Sequence, residues 1–80
     1  MGVYDATRER ILSLCEERKM TINKLAMQSG IPRSSLKNIL YGKSKNPGIV
    51  TIKMVCDGLE ISLKEFFDSK EFAELEQEMK

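Results

Sequence analysis

Two segments of helical periodicity, Ile22 to Ser29 and Arg33 to Tyr41, are separated by only Gly30, Ile31 and Pro32. So short a joint forces a sharp corner between them, a helix-turn-helix. Each segment carries its own punctuation. Thr21 is a candidate N-cap, and Gly30 accepts the left-handed conformation that stops a helix. Pro32 stands at the start of the next helix, where a missing N–H is harmless. Gly42 reads as a stop of the same kind as Gly30. Ile22, Leu25 and Ala26 form one inner face, and Leu36, Ile39 and Leu40 the other. The backbones come close at such a corner, so a small residue is needed there. Ala26 supplies it, and Ile31 plugs the corner. Arg33, Ser34, Lys37 and Asn38 are left facing outward, as donors and acceptors suited to phosphates and base edges.

The remaining elements are helical too. Ile11, Leu14 and Cys15, with Leu12 beside them, predict a helix over Asp5 to Lys19. Asp5 is its N-cap candidate, and Arg18 and Lys19 suit the negative end of its dipole. After a polar loop from Lys43 to Gly48, Ile52, Val55, Cys56 and Leu59 predict a helix over Val50 to Leu59. Ser62 and Glu65 form a capping-box pattern ahead of Leu63, Phe66 and Phe67. The acidic segment from Ser69 to Lys80 places Phe72, Leu75 and Met79 at helical spacing. No strand pattern interrupts the series. The expectation is an all-α, compact bundle of about five short helices with a short C-terminal helical tail. A chain of 80 residues holds one such domain, read as residues 1–68, with an acidic tail at 69–80.

The net charge of +1 conceals a strong asymmetry. Residues 18–56 hold eight basic residues and no Asp or Glu, whereas all 12 acids lie outside that stretch. The three segments carry −2, +8 and −5, a pattern that points to a polyanionic partner. Other classes find little support. The longest apolar runs are too short to span a membrane, and the N-terminus lacks a signal peptide, so the cytoplasm is the expected location. Zinc wants about four Cys or His ligands. The chain has two cysteines, Cys15 and Cys56, and no histidine, so both read as buried thiols. Gly42-Lys43-Ser44 lacks the first glycine of a phosphate loop, because Lys37 stands at that position. No nucleophile elbow is present, so no enzyme activity and no cofactor is expected.

The run from Thr21 to Gly42 resembles the helix-turn-helix of the Cro and phage lambda repressor family, also called the XRE family. The likeness is carried by Leu25-Ala26, Gly30-Ile31, Leu36, Ile39 and Gly42. Asn46-Pro47, Ile52 to Leu59 and Ile61 to Phe67 resemble the family's fourth and fifth helices, so the similarity covers Ile11 to Phe67. It implies a lambda repressor-like fold whose third helix reads the major groove. The reading set it implies is Arg33, Ser34, Ser35, Lys37 and Asn38, with Thr21, Asn23, Lys43, Ser44 and Lys45 holding phosphates. The family often has glutamine near the start of the second helix, and here Asn23 is the amide available. It usually has a glycine stop after the fourth helix. Here Glu60 stands there, expected in a left-handed conformation at a cost of ~1 kcal/mol.

The implied function is a sequence-specific transcriptional regulator of double-stranded DNA, a repressor binding as a homodimer to half-sites ~34 Å apart. Phe72, Leu75 and Met79 serve either as a dimer contact or as packing on the domain's own body. The alternative is an antitoxin-like or phage-regulator interaction module on the same fold. A chain this short is not expected to carry a small-molecule site.

Overall fold

The computed structural model describes residues 2–42 and 44–79, which leaves Lys43, one expected phosphate contact, outside the described residues. Its helices are α1 (Val3–Glu17), α2 (Ile22–Ser29), α3 (Arg33–Tyr41), α4 (Ile49–Leu59) and α5 (Leu63–Phe67), followed by a single 3-10 turn at Lys70–Phe72. The described residues contain no strand, and no helix among them is long and apolar enough to cross a membrane.

α2 and α3 occupy the expected spans, and α4 starts one residue early. α1 begins two residues before the expected start, with Gly2 rather than Asp5 at its N-cap. Packing is the reason. Ala6 is wholly buried and Thr7 is 3 % exposed, so the first turn is built into the molecule. The Thr7 hydroxyl donates back to the Val3 carbonyl at 2.7 Å. Asp5 lies within that turn, where its charge still suits the positive end of the dipole.

Leu25, Leu36, Leu40, Val55, Cys56, Ile11 and Phe66 are the largest fully buried side chains, drawn from each of the five helices. Cys15 and Cys56 are free thiols inside this core, and burial pushes both thiols above their ordinary range. α2 and α4 cross closely where Gly58 meets Ser29. A Cβ on Gly58 would stand 2.1 Å from the Ser29 hydroxyl and 3.0 Å from its backbone nitrogen. Ala26, the small residue expected at the α2–α3 corner, is buried.

Three helices end in the same way. A left-handed residue stands directly after α2 and α4, Gly30 (φ 71°) and Glu60 (φ 59°), and one residue further on after α1, Lys19 (φ 54°). The next residue's N–H then reaches back into the last turn: Met20 to Cys15, Ile31 to Ala26 and Ile61 to Cys56, at 2.8, 3.1 and 3.0 Å. Glu60 thus takes the expected left-handed place. Gly42 does not act as Gly30 does. It has φ −108° and ψ −140°, and close packing on Asn38 is what requires a glycine there.

The tail also departs from expectation. Ser62 caps α5 by accepting from the Glu65 N–H at 3.0 Å. Beyond the 3-10 turn, however, residues 73–79 are not helical. Phe72 packs against Phe66 and Phe67, with ring centroids 5.8 and 4.9 Å away, which diverts the chain from a continuous helix. The segment folds back towards α1, where a Glu78 carboxylate oxygen accepts from the Val3 N–H at 3.1 Å. Leu75 and Met79 remain exposed.

Candidate nucleic-acid interface

α3 has one buried face and one exposed face. Leu36, Ile39 and Leu40 are at most 6 % exposed, whereas Arg33, Ser34, Ser35, Lys37 and Asn38 are all exposed. With its inner row locked into the core, the helix presents the outer row rigidly. Its first turn has no side-chain cap, since Pro32 precedes it, so the N–H groups at its start are open to an anion.

At the start of α2, the Thr21 hydroxyl accepts from the Lys24 N–H at 3.0 Å, which leaves the hydroxyl proton free to donate. Arg18, Lys19, Met20, Thr21 and Lys24 surround a hollow of about 270 Å³. Three cations, Arg18, Lys19 and Lys24, are therefore gathered around Thr21. Their membership of the acid-free stretch was the signal for it. Asn23 is exposed on the same helix outside this hollow.

A second hollow, of about 390 Å³, lies between α3 and the start of α4. Ser35, Asn38 and Ser44 line it together with Asn46 and Thr51, over a floor that includes Ile31 and Ile39. The Asn38 carbonyl ties the loop in place, accepting from the N–H groups of Gly42 and Ser44 at 3.1 and 3.3 Å. Arg33, Ser34, Lys37 and Lys45 are exposed but line neither hollow. Lys53 is paired with Asp57 one turn along α4, which offsets its charge.

The far end of α3 is held from α1. The Tyr4 hydroxyl donates to the Ile39 carbonyl at 2.6 Å, and Arg8 Nε donates to the Leu40 carbonyl at 2.6 Å. The Arg8 guanidinium also lies 5.7 Å from the centre of the exposed Tyr41 ring. The sequence reading missed both residues, because contacts across 32 and 35 positions leave no local pattern.

A corner of two helices, the second offering an exposed polar face within an acid-free stretch, defines a helix-turn-helix DNA-binding domain. The family model of the Cro/C1-type HTH DNA-binding domain matches residues 10–71, and the chain belongs to that family. It is 40% identical over 62 residues to the HTH-type transcriptional regulator SlrR of Bacillus subtilis strain 168, covering 76% of this chain and 41% of that protein. It is also 40% identical over 53 residues to the HTH-type transcriptional repressor RghR of the same organism, covering 66% of this chain and 39% of that protein. The chain thus spans about two fifths of the length of these curated relatives. Among solved structures, it is similar to the prophage Lp1 protein 11, with a TM-score of 0.79 and 33% sequence identity. That match covers 94% of this chain and 100% of the other. Double-stranded DNA is the partner of such a domain, and both of these curated relatives are transcriptional regulators.

Proposed function

We propose that this protein is a sequence-specific transcriptional repressor that acts in the cytoplasm, binds its operator as a homodimer and performs no enzymatic reaction. α3 enters the major groove, where Arg33, Ser34, Ser35, Lys37 and Asn38 read base edges. Thr21 and Asn23 at the start of α2, and Lys43, Ser44 and Lys45 after α3, hold the flanking phosphates. The observation that carries this reading is the division of α3 into a locked inner row and an exposed outer row free of acids. One relative, RghR of Bacillus subtilis, is a transcriptional repressor.

Residues 1–68 form the DNA-binding unit, and the acidic stretch 69–80 is an accessory to it. Phe72 is engaged with Phe66 and Phe67, so Leu75 and Met79, at 40% and 76% exposure, are the tail positions left for a second copy.

Selection of binding sites from random duplexes with the purified chain tests the proposal. A consensus of two inverted half-sites is expected, with binding that weakens steeply as salt rises. Recovery of unrelated sequences would overturn sequence reading, and a single half-site would overturn the dimer.

A further inference from the structure

The C-terminal end of α3 is not self-supporting. The last carbonyls of a helix have no partner within it and must find one elsewhere. In α2 and α4 a left-handed residue turns the chain so that its own backbone supplies the partners. In α3 that device is absent, since Gly42 is not left-handed. Instead the carbonyls are taken one by one. Asn38 receives the N–H groups of Gly42 and Ser44, Ile39 the Tyr4 hydroxyl, and Leu40 Arg8 Nε. Both α1 bonds are short at 2.6 Å, and that from Arg8 is charge-assisted. Arg8 also lies against the Tyr41 ring, so one guanidinium fixes the helix end and the side chain that follows Leu40.

We infer that Tyr4 and Arg8 are positioning residues for DNA recognition, acting through the C-terminal carbonyls of α3 to set how its reading face meets the bases. The inference rests on the proposed role of α3 in base reading. Its physical content is a lever. Asn38 is a reading residue, and its own carbonyl anchors the loop that leads to Ser44 and Lys45. A tilt at Ile39 and Leu40 therefore moves a base-reading group and a phosphate-holding loop together. Base readout requires bonds of fixed direction, so it suffers from a small tilt. Attraction between lysines and phosphates is long-ranged and tolerates one.

The test uses the full chain with Tyr4→Phe, Arg8→Met, their combination, and Arg8→Lys. Each variant is checked by its thermal melt, then titrated where it is fully folded. The probes are the duplex recovered by selection and a scrambled duplex of equal length. The double variant is expected to lose on the order of tenfold in affinity for the selected duplex and less than about twofold for the scrambled one. Arg8→Lys keeps the charge but not the planar fork. It is expected to bind scrambled DNA with the parent's salt dependence while recovering only part of the discrimination. Tyr4→Phe removes a single hydroxyl, so it carries the test alone if Arg8→Met fails to fold. Equal losses on both duplexes, or full recovery of discrimination by lysine, would overturn the positioning role in favour of a charge effect. Unchanged discrimination in every folded variant would overturn it too, while base reading by α3 stands. A parent chain that does not distinguish the duplexes sinks the base-reading proposal and this one with it.

Discussion

Gly30 and Gly42 stand one residue beyond α2 and α3, and the sequence treats them alike. The structure does not. Gly30 has φ 71°, and a Cβ there would find nothing nearer than a Met54 methyl at 3.9 Å, so its conformation is what calls for glycine. At Gly42 a Cβ would stand 2.7 Å from the Asn38 side-chain oxygen and 2.9 Å from the Asn38 Cα. Space is what calls for glycine there. The difference extends to what each helix end depends on. α2 is closed by its own chain, through the Ile31 N–H on the Ala26 carbonyl. α3 is closed partly by α1, through Tyr4 and Arg8. An end completed locally is insulated from the rest of the fold, and an end completed by another helix is coupled to it.

The largest effect on this comparison is expected from Gly58→Ala, which strikes the insulated end from outside. The new methyl would meet Ser29, the last residue of α2, both at its hydroxyl and at its backbone, so α2 and α4 must separate. A loss of about 3 kcal/mol in a denaturant melt is expected, the scale of severe overpacking. The Ser29 hydroxyl is buried without a hydrogen-bond partner, so Ser29→Ala in the same chain should return part of that loss. No recovery in the double variant would place the clash on the Ser29 backbone rather than on its hydroxyl.

Next comes Gly42→Ala, expected to cost about 2 kcal/mol because the nearest backbone cannot yield as a flexible side chain can. It should also weaken DNA binding at temperatures where the variant is folded, since Asn38 and the Ser44 loop must shift. Gly30→Ala is expected to cost less, about 1 kcal/mol, as a left-handed alanine in open space does. If denaturant melts reverse the order of these two, the division between a steric and a conformational glycine fails.

How much of this was legible in advance follows the range of the forces involved. The spans of α2 and α3 were readable because apolar spacing and local punctuation at Thr21, Gly30 and Pro32 agree. The exposed row from Arg33 to Asn38 was readable too, because burial of Leu36, Ile39 and Leu40 dictates which positions point away. The job of Gly42 was not, because only the folded geometry distinguishes a need for space from a need for φ. The clamp by Tyr4 and Arg8 was hidden because their partners lie 35 and 32 positions away, and because Tyr4 precedes the expected start of the helix at Asp5. Arg10 is a further case, bonding the Phe66 and Glu65 carbonyls at the end of α5, both at 2.8 Å. Phe72, Leu75 and Met79 misled in the opposite direction. Their spacing suits a helix, but a short isolated one is marginal in water, and capture of the Phe72 ring by Phe66 and Phe67 decides its path.

The smallest effect, and the one of opposite sign, is expected from Glu60→Gly. Glu60 does for α4 what Gly30 does for α2, but with a side chain in the left-handed region at φ 59°. The side chain is exposed and leaves the helix end open to solvent, so removing it gives up no core packing. Relief of the left-handed strain is opposed by the greater freedom glycine gives the unfolded chain. The strain outweighs that freedom, at about 1 kcal/mol or slightly more, so a net gain of about 0.5 kcal/mol is expected in a denaturant melt. Unlike Gly42→Ala, this change should leave DNA affinity untouched, because the end of α4 is closed by its own Ile61 N–H on the Cys56 carbonyl. A change in affinity without a change in stability would show that the α4 end is coupled to the interface, and that local closure does not insulate a helix in this fold.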